Sequence, residues 1–185
     1  MKKTSMLLPL AGLVAMLASG CASTAPSSGT PTMYTPATRA SAELPSNVSA
    51  TFQDPDRFTD ARSSFGGGTD NGYLDTLSDH LKRTAGRLIP SDQKLEVTFT
   101  DVDLAGDFQP GRVQLNDVRI IKEIYRPRMT LHFKLTGADG TVLKEGDRTL
   151  ADSYFMTNIN TVDRNEPLFY DKELLAYWVR DEFKP

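Results

Sequence analysis

One cysteine, one tryptophan and two histidines are all that 185 residues offer in those types, and each scarcity excludes something. A lone Cys21 leaves no partner for a disulfide framework within the chain. His80 and His132 are far apart, and neither has a second histidine or a cysteine at ligand spacing, so no zinc site and no other cofactor is expected. With two histidines and no Gly-x-Ser-x-Gly, a serine nucleophile has little to activate it. Positive charge is scarce too. Lys and Arg number 21 against 24 Asp and Glu, for a formal charge of −3, and no basic stripe appears. Such a chain lacks the electrostatic footprint of a nucleic-acid binder. The Gly-rich 66–68 stretch ends in Thr without the Gly-Lys pair of a phosphate loop and reads as a connection. No internal repeat is visible.

Long apolar runs are also missing. The longest, "LLPLAGLVAMLA" at 7–18, is shorter than the roughly 20 residues needed to cross a bilayer as a helix. It follows Lys2 and Lys3 and precedes "LASGC", small residues directly ahead of the only thiol. A basic start, a short apolar stretch and small residues before a cut are the parts of an export signal. The "LASGC" step resembles the lipobox of bacterial lipoproteins, although Ala18 stands where Leu is more usual. The resemblance implies that residues 1–20 are a lipoprotein signal peptide and that Cys21 becomes an acylated first residue. It also implies anchoring in the outer membrane, because Ala22 is not Asp, and the periplasmic side is the expected face. An outward-facing surface lipoprotein is the other orientation such an anchor allows. Several acyl chains, at about 0.8 kcal/mol per buried CH₂, hold nearly permanently.

Residues 22–46 are built from Ala, Ser, Thr and Pro and cannot bury enough surface to offset ordering. Together with Cys21 they are expected to form a tether. At about 5–6 Å × √n its mean reach is roughly 25–30 Å, so the domain should hang off the membrane rather than lie on it.

From residue 47 to 185 the composition is that of one globular domain. Over the chain, hydrophobic residues make 39% and charged residues 24%, enough for a single core. "NVSATF" at 47–52 alternates as a short strand. Residues 73–89 predict a helix, with Leu74, Leu77, Leu81, Ala85 and Leu88 on one face, acids early, bases late, and Pro90 as its stop. "KLEVTFTDVDL" follows as a strand, and strand–helix–strand suggests parallel neighbours joined by a crossover. A strand is also expected over 117–125, and a cleaner one over 128–136, where Met129, Leu131, Phe133 and Leu135 share a face. "GADG" makes a hairpin turn. Leu143 and Leu150 have opposite parity, so a bulge at Gly146 would bring both inside. Residues 151–170 look irregular. Residues 171–183 predict an amphipathic helix capped by Asp171, with Leu174, Leu175, Trp178, Val179 and Phe183 packing on the sheet, and Phe169 stapling its start. The sum is an α+β fold: a mixed, mostly antiparallel sheet of about four or five strands, with two amphipathic helices on one face.

The aspartates of "DVDLAGD" need separate weighing. Asp101, Asp103, Gly106 and Asp107 match places in a calcium loop, yet Ala105 and Arg112 occupy the fifth and twelfth places, so a metal is not expected. A pair of carboxylates for acid–base work, in an envelope hydrolase using the acidic residues of 101–107, is the catalytic alternative. The simpler reading is a strand whose inward face changes parity between Phe99 and Val102, by a twist or bulge that turns Asp101 and Asp103 to the sheet end. Arg126 and Arg128 flank Pro127 and can pair with those aspartates or clamp an acidic partner.

"LEVTFTDVDLAGDFQPG", "RPRMTLHFKLTGADGTVLKEGDRTLADSYF" and "LFYDKELLAYWVRDEF" together resemble the bacterial family catalogued as domain of unknown function 3016. The similarity covers roughly 47–185 and implies an exported protein. It implies no activity, ligand or catalytic residue. The expectation is a membrane-anchored periplasmic lipoprotein whose domain binds or organises another envelope component, such as another envelope protein. The membrane would be met through Cys21, and Arg126, Arg128, Asp101 and Asp103 are the candidate contact residues.

Overall fold

The computed structural model describes residues 31–36, 44–60, 71–108, 119–157 and 166–184. Residues 1–20, where a signal peptide is expected, Cys21, the glycine-rich 66–68 stretch, residues 117–118 and most of "NINTVDRNEP" lie outside the described residues.

Five strands form the main sheet: β1 (Met33–Tyr34), β2 (Val48–Gln53), β3 (Lys94–Asp103), β6 (Arg128–Thr136) and β7 (Val142–Ala151), in the spatial order β1-β2-β3-β6-β7. The pair β4 (Asp107–Phe108) and β5 (Arg119–Ile120) forms a small separate sheet. Strands β2 and β3 run parallel, as the intervening helix suggested, and every other pairing is antiparallel. The fold is therefore α+β, with both helices, α1 (Asn71–Ala85) and α2 (Phe169–Phe183), joined by the core to one face.

Register aligns the inward side chains in rows across three strands. Val48 pairs with Leu95 and Leu95 with Leu135; Ala50, Val97 and Phe133 make the next row, and Phe52, Phe99 and Leu131 the third. All nine are buried. Phe52 and Phe99 stack at 4.9 Å between centroids. From the helices come Leu74, Leu77, Leu81 and Ala85, then Leu174, Leu175, Trp178 and Val179, while Trp178 meets Phe133 edge-on at 5.7 Å. Each fully buried Leu or Phe contributes roughly 1.5–3 kcal/mol.

Several local expectations need correction. Helix α1 ends at Ala85 rather than 89, so Leu88 is half-exposed and Ile89 takes the buried place. The chain turns at Gly86, where a Cβ would stand 2.3 Å from Pro45 Cγ, and the Leu88 and Ile89 amides both donate to the Ala85 carbonyl. Of the strand expected over 117–125, the described part is Arg119–Ile120, and it does not continue to 125 because residues 122–125 form a turn closed by Tyr125 N–H to the Lys122 carbonyl.

The bulge on β7 is not at Gly146. Gly146 pairs regularly with Phe133, and the register shifts where Leu135 faces Lys144 and Thr136 faces Val142, which leaves Leu143 extra and half-exposed. Leu143 is not inside at all. The inward positions of β7 are instead Lys144, Gly146, Arg148 and Leu150, opposite Leu135, Phe133, Leu131 and Met129. Gly146 leaves room for the Arg148 guanidinium, 5.0 Å over the Phe133 ring. Arg148 then donates from Nε and Nη2 to the two Glu182 oxygens at 2.7 and 2.9 Å, and Lys144 Nζ reaches the same carboxylate at 2.7 Å. Inward charge on an outer strand also blunts its tendency to recruit a neighbour.

The two cations hold the Glu182 carboxyl down to about 2, with Arg148 the larger cause. Its folded value lies below the ordinary 4.5, so its contribution is complete above pH 4.5 and is lost as pH falls through about 2. Urea midpoints should therefore drop between pH 5 and pH 2, and Glu182→Gln should flatten that drop while lowering the pH 7 midpoint.

Candidate functional site

Strand β3 positions the site by changing face. Phe99 pairs with Leu131 but Asp101 with Thr130, so Thr100 is the extra residue of a bulge. Beyond it Val102 points inward and is fully buried, while Asp101 and Asp103 point to the helix-free side at the sheet's end. The parity change expected from the sequence is this bulge.

The two aspartates then part. Asp101 accepts the Thr59 amide at 2.7 Å and the Thr59 hydroxyl at 2.8 Å. Asp103 lies opposite Arg128 across the β3–β6 pair and accepts from its Nη2 at 3.3 Å. Burial raises the Asp103 pKa and the Arg128 charge opposes the rise. Arg126 donates to the Ser153 hydroxyl at 2.9 Å.

Between these groups opens a cleft of about 400 Å³. Asp103, Asp107, Tyr125, Arg126 and Arg128 line it, together with Ile124, which is 75% exposed. Asp103, Arg126 and Arg128 thus share one cleft, and Asp101 is turned aside to Thr59.

Neither histidine comes near. His80 is half-buried on α1, and burial followed by the Lys172 charge lowers its pKa. His132 stands on the open face of the sheet, held by Asp147 at 2.9 Å and Glu145 at 3.3 Å, which together raise its pKa, Asp147 the more. A carboxylate–histidine relay involving Asp101 or Asp103 is not assembled.

The floor of the cleft rests on a residue the sequence reading passed over. Arg119 Nε donates to the Ala105 carbonyl at 2.7 Å, and its Nη2 donates to the Leu104 and Gly106 carbonyls at 3.1 and 2.8 Å and pairs with Asp60. One planar fork thus collects three successive carbonyls and a carboxylate. Gly106 allows this turn: its φ is +86°, and a Cβ would stand 2.6 Å from Ile121 Cδ1. The signal was available, since "RIIKEIY" places a charged residue beside three isoleucines, but the pattern suggested a strand edge.

Asp171 completes the support and corrects the capping expectation. Helix α2 begins after Leu168, whose φ of +58° places it in the left-handed region, with no side-chain cap. Asp171 lies within the first turn, is buried, and accepts the Ala105 amide at 3.0 Å. Burial pushes its carboxyl up to about 6; the Ala105 amide and the Arg119 charge pull the other way.

Two outcomes test this support. Arg119→Met should cost about 3–5 kcal/mol by leaving Asp60 and the carbonyls unmatched, lowering Tm by roughly 10–15 °C. Arg119→Lys should recover less than half, because a point charge cannot span the four acceptors; full recovery would mean that charge alone matters. Asp171 is raised above its ordinary 3.8, so its favourable contribution is complete below pH 3.8 and is lost as pH rises through about 6. Asp171→Asn keeps an acceptor and drops the charge. The variant should gain on the native chain by up to about 3 kcal/mol between pH 4 and pH 7, read from urea midpoints.

No curated protein and no solved structure matches the chain. The family described as "protein of unknown function (DUF3016)" matches residues 46–181. That span contains the bulge, the cleft and the Arg119 fork, and the chain belongs to this family.

Proposed function

We propose that this protein is a lipid-anchored domain of the cell envelope, held by acylated Cys21 on the periplasmic side of the outer membrane, which binds an envelope component without chemical turnover. The "LASGC" step supports the anchor. The observation that carries the binding reading is the cleft that Arg126 and Arg128 both line. Arg128 is matched by Asp103, whereas Arg126 meets only a neutral hydroxyl at Ser153 among the described residues, so its charge is available to an acidic partner group. Charge-assisted hydrogen bonds of this kind are worth about 1.5–3 kcal/mol. Asp101 holds the Thr59 segment and Asp103 orients Arg128 in this reading.

The anchor is tested by intact mass and fatty-acid labelling: the mature chain should begin at acylated Cys21, and Cys21→Ser should abolish incorporation. Binding is tested with a photocrosslinking residue in place of Ile124 in native envelopes. One stoichiometric adduct should form, and Arg126→Ala should lower its yield about tenfold. Turnover of a small molecule by the mature protein, or crosslinking indifferent to Arg126, would defeat the reading.

A further inference from the structure

The cleft and the point where the tether joins the fold lie at the same end of the sheet. Strand β1 runs antiparallel to β2, with Met33 opposite Gln53 and Tyr34 opposite Phe52. The chain therefore arrives at Thr32, whose amide donates to Asp54 Oδ1 at 2.5 Å while the Asp54 amide returns to its carbonyl at 2.6 Å. At this end β2 and β3 finish, at Gln53 and Asp103, β6 begins at Arg128 and β7 finishes at Ala151. Residues 31–36, which the composition places in the tether, are fastened: the Tyr34 ring packs 6.1 Å from Phe52, its hydroxyl donates to Asp75 at 2.7 Å, and Pro36 is buried. Ten residue steps then separate an anchor at Cys21 from Pro31, and ten steps extend at most about 35 Å. A tether free to residue 46 would allow at most about 90 Å.

The rim of the cleft suits an interface between water and lipid. Ile124 and Tyr154 are 75% and 74% exposed. Tyr154 follows Ser153, the partner of Arg126, in a turn set by its own amide donating to Asp152 at 2.7 Å and by Thr157 N–H to its carbonyl at 2.8 Å. A Tyr, an aliphatic side chain and an arginine at one edge are the residues that settle at headgroup level. The charges narrow the ligand. Asp103 is answered by Arg128 and Asp60 by Arg119. Among the described residues no cation pairs with Asp107 and no carboxylate pairs with Arg126, and both line the cleft. The unanswered charges are one negative and one positive, both on the lining of the same cleft. A purely anionic surface would meet Asp107 unfavourably.

We propose that this end of the domain lies on the membrane that anchors Cys21, and that the cleft takes the phosphoethanolamine headgroup of a phospholipid, phosphate to Arg126 and ammonium to Asp107. The proposal rests on the anchored, binding reading above and names its ligand class. Arg126 supplies the planar donor fork that phosphate takes up, and the ammonium has N–H donors for a carboxylate, which a trimethylated choline lacks. Tethering keeps the local headgroup concentration high, so a weak single contact suffices.

The test uses the mature acylated protein. Acylation occupies Cys21, so Tyr154→Cys carries the only free thiol and takes an environment-sensitive fluorophore. Ile124→Cys is a second reporter, and Val142→Cys, at the opposite end of β7 and 47% exposed, is the control. In phosphatidylcholine vesicles containing phosphatidylethanolamine, emission at 154 and 124 should shift to the blue and be quenched by brominated lipid, with no change at 142. In pure phosphatidylcholine the shift should fall several-fold, and Arg126→Ala or Asp107→Asn should reduce it to that level. Equal signals at 154 and 142, a shift indifferent to ethanolamine, or one that survives Arg126→Ala would overturn the proposal. A protein adduct at Ile124 with silent vesicle reporters would overturn the headgroup and leave the binding reading standing. A chain without acylation at Cys21 would remove the anchored reading first.

Discussion

The guanidinium of Arg119 is the constraint on which the sheet end depends. A chain that turns sharply from β3 into β4 exposes successive carbonyls on one side, and buried carbonyls left unmatched are costly. Leu104, Ala105 and Gly106 present three of them to a single side chain, and Asp60 balances its charge from the segment following β2. Arg119 therefore ties three separate stretches into one corner. Asp171 takes the Ala105 amide from the opposite side, so the same peptide is held at both ends and α2 is pinned to the turn. Phe108 covers the guanidinium at 5.1 Å and keeps that network partly dry. Cleft geometry follows from this corner: Asp107 sits one residue beyond the clamped segment, and the Gly106 amide donates to the Tyr125 carbonyl at 2.9 Å, which places the Arg126 backbone.

The two faces of the sheet solve different problems. On the helix side, Phe, Leu and Val fill the rows of β2, β3 and β6, but on β7 the same face carries Lys144 and Arg148. Glu182, near the end of α2, gathers both cations with a carboxylate whose side chain is only 9% exposed. This arrangement fixes where α2 lies along the sheet, because a half-turn slip would separate Glu182 from both. On the open side, Ser49, Thr51, Thr98, Thr130 and His132 keep the surface polar and half-buried, the pattern of an antiparallel sheet with one wet face.

Legibility in the sequence followed the range of the interactions. Strong period-two and period-3.6 patterns exposed β3, β6, α1 and α2, because burial of one face is a local signal that each element carries by itself. The bulge at Thr100 was visible as a parity change, since Phe99 and Val102 could not both point inward otherwise. Where a side chain's role depends on a distant partner, the pattern misled. Asp171 looks like a helix cap from its neighbours alone; its actual partner, the Ala105 amide, is 66 residues away. Arg119 looks like the polar side of a strand, and the carbonyls it collects lie 13 to 15 residues upstream. Leu143 and Leu150 suggest a bulge at Gly146 only if both lie inside, whereas an arginine stacked on Phe133 fills that face. Met33 and Tyr34 were hidden among Ser, Thr and Pro, too short to register as a strand.

Concentration of the unusual features at one end of the sheet has a structural cause. Strands β2 and β3 are parallel, so both deliver their last residues to the same end, and the loops that follow them meet there. The antiparallel neighbours β1 and β6 begin at that end, which brings the chain from residue 31 and the Arg-Pro-Arg step to the same place. Open sheets with parallel strands gather loops at their carboxyl ends for this reason, and ligand crevices form where those loops diverge. Here the bulge at Thr100 widens the gap further by turning Asp101 and Asp103 away from the core, and Arg119 keeps the gap from collapsing. An opening with mixed charge, set beside the place where the chain enters the sheet at Met33, is thus a consequence of strand order together with one buried arginine.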